Sequence, residues 1–243
     1  MVRTRSNCSR FPTTIREDLG LIRDKGAGAH EALSRFCESY WPPVYSFIRQ
    51  SGKGPEEAAD LTQGFFEKLI EDESIVSWRP RDGHFRSWLL ACLRRFIVDE
   101  WRKFSSAKNR PPGGWMSLDS DEAETYYEKD AIDSESPQIA YDRCWALHFF
   151  DTVLKELEEQ CRAEGQLEVF GQMVAHLGGN DLKMSHGEAA KRMGMSTGTL
   201  KNEVTTLRKR YARIIRERLR LETGTAVGAE EELRYLVFIV AGS

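Results

Sequence analysis

The side chains best placed to do chemistry in this 243-residue chain sit together near its C-terminal end. Ser196 is a helix cap, and the helix it opens carries Leu200, Val204, Leu207 and Tyr211 as one apolar stripe. The opposite face carries Thr197, Thr199, Lys201, Asn202, Thr205, Arg208 and Lys209. Small and amide side chains at the start of a helix can reach base edges in a DNA groove, and cations further along can neutralise phosphates. A shorter helix precedes it. Ser185-His186-Gly187-Glu188 reads as a capping box, opening a helix through Ala189, Ala190 and Met193. Gly194-Met195-Ser196 then supplies a tight turn, with Gly194 suited to a left-handed backbone. The pair predicts a helix-turn-helix; the competing reading is an ordinary helical hairpin with a basic solvent face.

Catalytic patterns are absent from the sequence: it has no paired carboxylates, no nucleophile with a base and no phosphate loop. The five cysteines (Cys8, Cys37, Cys92, Cys144, Cys161) form no C-x-x-C pair, and the five histidines have no ligand spacing. Neither a metal nor another cofactor is expected. No apolar run approaches the roughly 20 residues that span a bilayer, and the basic N-terminus lacks the apolar core of an export signal. These features predict a reduced, cytoplasmic protein without membrane insertion.

Charge is where the total misleads. The whole chain has 35 Lys+Arg and 38 Asp+Glu, a net charge of −3 that by itself speaks against a polyanion partner. By segment, residues 79–110 carry nine basic and three acidic side chains, net +6. Residues 183–220 carry eleven against three, net +8, and residues 117–136 carry one against eight, net −7. Two basic blocks therefore flank an acidic connector, an arrangement that suits nucleic acid better than two solvated faces.

The elements expected to position these residues are almost all helical. Leu33, Phe36, Cys37 and Tyr40 predict a helix over 29–40, and Pro42-Pro43 is expected to break or restart it before a short helix over 44–49. Pro55-Glu56-Glu57 opens a helix to about Glu71, a loop follows over 72–83, and a long helix runs from about His84 to Phe104. Gly64 interrupts the first of these, where it would permit close approach of another helix. Pro111-Pro112-Gly113-Gly114 and the acidic stretch read as linker. Ser136-Pro137 restarts a helix, a second follows around 166–177, and a last one covers 229–240. The expected fold is all-α: a domain over 1–107, a linker over 108–136, a second domain over 137–222 and an extension over 223–243.

At this point the residues resemble a known family. Gly187-Glu-Ala-Ala-Lys-Arg-Met-Gly-Met-Ser-Thr-Gly-Thr-Leu-Lys201 is similar to region 4 of RNA polymerase sigma factors. Ala59-Asp-Leu-Thr-Gln-Gly-Phe-Phe66 resembles the DLTQ-x-FF signature of region 2, and Phe85-Arg-Ser-Trp-Leu-Leu90 with Asp99-Glu-Trp-Arg102 resembles its DNA-reading helix. Two domains without a long N-terminal extension resemble the extracytoplasmic-function (ECF) group. Phe11-Pro-Thr-Thr14, Ser117-Leu-Asp119, Tyr141-Asp-Arg-Cys-Trp-Ala-Leu147 and Glu231-Glu-Leu-Arg-Tyr-Leu236 resemble a subgroup with a short C-terminal extension.

The resemblance implies a non-enzymatic subunit that directs core RNA polymerase to promoters. Asp60, Leu61, Gln63 and Phe66 would form the polymerase-docking motif, with Asp60 and Gln63 as polar contacts and Leu61 and Phe65 or Phe66 packing in the domain core. Trp78, Arg79, Arg81 and His84 would hold an extruded base of the −10 element, with Trp78 equally suited to the core. Arg86, Arg94, Arg95, Arg102 and Lys103 would line the DNA path. Ser196, Thr197, Thr199, Lys201, Asn202, Thr205, Arg208 and Lys209 would read the −35 element. Departures from the pattern are Arg95 where Asn is common, Thr205-Thr206 in place of His-Arg, and the added negative charge of Glu203. The implied partners are core RNA polymerase, promoter DNA, and an anti-sigma factor or other regulator. The charge pattern adds the expectation that the acidic connector masks the basic faces in the free protein and is drawn away on polymerase binding. A stand-alone helix-turn-helix regulator and a helical module for acidic proteins are the competing functions.

Overall fold

A computed structural model of the protein describes residues 15–79, 83–106, 136–177 and 185–242. The acidic connector, Phe11–Thr14, Arg81 and the side chain of Lys103 lie outside the described residues. Among those described there are nine α-helices and no strand. In chain order they are α1 Ile15–Asp24, α2 Ala29–Gln50, α3 Pro55–Glu71, α4 Phe85–Ser106 and α5 Pro137–Ala163. They continue as α6 Leu167–Leu177, α7 His186–Arg192, α8 Thr197–Thr223 and α9 Ala226–Ala241. The all-α expectation is met.

Two compact units emerge. The first contains the described residues up to Phe149 and those from Leu219 onward; the second is Phe150–Arg218. The start of α5 and the whole of α9 thus belong with the first unit, while the domain boundaries read from sequence fall at 107, 136 and 222.

One local expectation is overturned. Pro42 and Pro43 neither break nor restart the chain: α2 runs through both. Each proline lacks an N–H, so the carbonyls of Glu38 and Ser39 lose their helical donors, at roughly 3 kcal/mol per proline. Burial outweighs that cost. Every residue from Ser39 to Ile48 is buried, and Trp41 stacks on Phe66 of α3 at 5.7 Å and 11°. Residues 15–24, which the sequence reading did not single out, form α1. The buried Asp18 on α1 accepts a hydrogen bond from Arg35 of α2 at 2.5 Å.

The first unit is organised around Phe85. Its ring lies 5.3 Å from those of Tyr40, Trp78 and Trp88 and 5.9 Å from that of Phe36. The edge-to-face geometry with Phe36, Tyr40 and Trp78 favours such ring pairs beyond simple burial. Gly64 of α3 faces α4, where an added Cβ would stand 3.6 Å from Phe96. That is ordinary contact, so the approach at Gly64 is not close enough to demand glycine.

The second unit packs the later half of α5 (Val153, Leu157, Cys161) with Val169, Phe170 and Met173 of α6, Ala189 and Ala190 of α7, and Leu200, Val204 and Leu207 of α8. Arg210 of α8 grips Glu164 with two hydrogen bonds of 2.7 Å, and Tyr211 donates to the Phe150 carbonyl at 3.0 Å.

Candidate nucleic-acid interface

In the second unit the caps and the turn read from the sequence are present. The Glu188 amide donates to Ser185 Oγ, and the Ser185 amide donates back to Glu188 Oε2 at 2.9 Å. At the other end of α7, Gly194 takes φ 67°. Its amide donates to the Lys191 carbonyl and that of Met195 to the Ala190 carbonyl, the double bond of a Schellman closure. Ser196 then caps α8 by accepting from the Thr199 amide at 3.0 Å.

All eight residues expected to face the −35 element (Ser196, Thr197, Thr199, Lys201, Asn202, Thr205, Arg208, Lys209) are exposed. Two of them are chemically narrower than the sequence implies. The Thr199 hydroxyl is paired with Ser196 Oγ at 2.8 Å, and the Thr205 hydroxyl donates to the Lys201 carbonyl at 2.8 Å. The Thr205 hydroxyl hydrogen is therefore committed to its own helix. The +8 block is also partly spent at home, because Arg210 and Arg218 pair with Glu164 and Glu156.

These local bonds set an acid limit on the second unit. The Ser185 amide, then its hydroxyl, holds the Glu188 carboxyl below its ordinary value, and Arg210 does the same for Glu164. Carboxylates depressed in the folded state contribute stability that is present above the unfolded value and lost as pH falls through the folded one. The melting temperature of the second unit should therefore drop as pH falls below the ordinary glutamate value of 4.5. Differential scanning calorimetry checks this: Glu188→Gln combined with Glu164→Gln should flatten that acid limb, and an unchanged limb would refute the assignment.

In the first unit the expected −10 residues divide into buried and exposed sets. Trp78 is buried on the edge of Phe85, and its indole N–H donates to the Gly83 carbonyl at 3.2 Å, pinning the loop ahead of α4. Arg79 folds back to donate to the carbonyls of Val76, Ser77 and Trp78. Arg94, Arg95 and Arg102 are exposed on α4, Arg94 donating to Gln138 at 2.6 Å. Beside them stand Val98 and Trp101, exposed by 46% and 68%, an apolar surface that the sequence reading did not single out. On α3, Asp60 is exposed, Gln63 donates to Glu67 at 3.0 Å, Leu61 is half-buried and Phe66 is buried.

Arg86 was expected on the DNA path and is instead caged. Its guanidinium pairs with Asp142 of α5 and with Glu232 of α9, the latter at 2.8 Å. It lies between the rings of Trp145 and Tyr235, 5.4 and 5.1 Å from their centroids. Tyr235 donates to Asp142 at 2.6 Å, and Tyr141 donates to the Arg86 carbonyl at 3.2 Å. His84 stands 3.8 Å from Glu232. Burial works against the Arg86 charge, but Glu232 and Asp142 outweigh it and its pKa is raised. A cleft of about 330 Å³ opens beside this cage, bordered also by Arg94 and Gln138.

The helices that carry Asp60, Arg86 and the α4 cations now have a counterpart outside this chain. Residues 36–107 match the family model of Sigma-70 region 2. The region 2 match takes in most of α2, all of α3 and α4, and supports a non-enzymatic sigma-factor role in promoter recognition and melting. No curated protein and no solved structure matches the chain. Among the described residues, no helix is long and apolar enough to cross a membrane and no cluster of three His, Cys, Asp or Glu could hold a metal ion. Asp142, Trp145, Glu232 and Tyr235 all lie beyond the region 2 segment, so the cage ties region 2 to later parts of the chain. A signal for it existed: Asp142/Trp145 and Glu232/Tyr235 each put a carboxylate and an aromatic ring three residues apart on one helix face.

Proposed function

We propose that the chain is a sigma factor of the ECF type, directing core RNA polymerase to specific promoters and assisting melting of the −10 element. The region 2 match over the aromatic core and the basic helix α4 is the observation that carries the reading. In it, exposed Asp60 and half-buried Gln63 on α3 contact polymerase, with Leu61 and Phe66 supporting them. Arg94, Arg95 and Arg102 follow the opened strand. The α7–α8 pair reads the −35 element, since it combines a capped entry, a Schellman turn and an exposed Thr, Asn, Lys and Arg face. Core polymerase and promoter DNA are the partners, the compartment is the cytoplasm, and residues 223–243 form a C-terminal extension.

Transcription reconstituted with core polymerase tests this. The chain should bind core and start transcripts at discrete sites upstream of some of its own genome's genes. Asp60→Ala should lower core affinity about tenfold or more while leaving duplex binding by the full chain unchanged, since hydrogen bonds to a charged group contribute about 1.5–3 kcal/mol. Duplex binding with no core binding and no initiation would replace the proposal with a stand-alone helix-turn-helix regulator.

A further inference from the structure

The Arg86 cage is built in half by α9, and that half is an anion. Glu232 and Tyr235 project from one face of α9 onto α4, and Ala229, Leu236 and Ile239 bury the rest of that face. Arg86 sits in the first turn of the helix whose later turns expose Arg94, Arg95 and Arg102. A phosphodiester arriving at Arg86 would seek the same guanidinium donors that Glu232 holds, so the two cannot be accommodated together.

Three observations favour a contact that opens over one that only staples. The centre of the α4–α9 contact is ionic, and buried ion pairs return little net stability once desolvation is counted. The cage is incomplete, since Arg86 Nε has no hydrogen-bond partner among the described residues. And α9 is joined to α8 through Gly224 at φ 77°, a left-handed joint just ahead of the Thr225 cap.

We propose that α9 is an intramolecular competitor for nucleic acid, whose Glu232 withholds Arg86 of α4 from a single-stranded phosphodiester backbone until α9 is displaced. The proposal rests on the promoter reading above and adds its regulation. Displacement extends the basic track of α4 by about two turns toward the Trp78 loop, so strand capture and release of α9 are two sides of one equilibrium.

The test uses the full chain and a fluorescent, mixed-sequence single-stranded DNA oligonucleotide. Glu232→Gln keeps the shape of the side chain and removes its charge, and should tighten oligonucleotide binding at least about fivefold by raising the open fraction. In the wild-type chain, hydrogen exchange of residues 226–241 should accelerate when the oligonucleotide is added. Unchanged affinity in the variant, or unchanged or greater protection of 226–241 in the DNA-bound wild type, overturns the proposal. Should the variant fail to fold, the wild-type exchange measurement decides alone. Core-polymerase binding by the wild-type chain is measured in parallel: its absence removes the promoter reading, whereas core binding with a negative exchange result removes only the role of α9.

Discussion

Replacing Arg86 by alanine should destabilise the first unit by about 3–5 kcal/mol, read as a shift of its urea midpoint. The size follows from what is left behind. Asp142 and Glu232 are 4% and 7% exposed, so removal of the cation strands two carboxylates in a site with little water to solvate them. The aliphatic stem and guanidinium also fill the space between Trp145 and Tyr235, and that packing is lost too. The converse experiment separates ionic from packing contributions. Arg86→Met combined with Asp142→Leu and Glu232→Leu removes all the charge together and should recover most of the loss, because a buried ion cluster is often replaceable by apolar groups of similar volume. A loss below about 1 kcal/mol for Arg86→Ala would mean the site is wetter than its burial indicates.

Phe85→Ala should cost a similar amount, about 3–5 kcal/mol, by a different route. Here no charge is exposed; a ring surrounded by Phe36, Tyr40, Trp78 and Trp88 is replaced by empty space. Those four neighbours belong to α2, α4 and the loop before α4, so they cannot collapse together into the cavity. Phe85→Leu retains much of the volume and should cost markedly less, about 1–1.5 kcal/mol. Equal losses for the two variants would show that ring geometry rather than cavity volume governs the site. Because Trp78 packs on Phe85 and bonds to Gly83, its fluorescence should report the same transition from within the loop.

What the sequence disclosed, and what it hid, follows the range of the interactions. Capping and turn chemistry are local, so Ser185, Glu188, Gly194 and Ser196 announced α7 and α8 almost residue by residue. The eight-residue face of α8 was readable for the same reason, since helical period alone decides which side chains look outward. Pro42-Pro43 misled because the local cost of proline is visible in a sequence while the burial that outweighs it is not. Arg86 is the converse case. Its residue type and its neighbours on α4 announce a cation, but not the carboxylates from 56 and 146 residues away that hold it. The hydroxyls of Thr199 and Thr205 turned inward to their own helix, which residue type cannot announce.

That 146-residue separation has a consequence for how the protein is born. Ribosomes complete elements in order, at about 5–20 residues per second, so Asp142 leaves the exit tunnel some seconds before Glu232 exists. During that interval α4 and the start of α5 can meet, but Arg86 has one carboxylate and one aromatic wall in place of two. A nascent chain therefore passes through a stage in which Arg86 is held by Asp142 and Trp145 alone, and synthesis of α9 ends it.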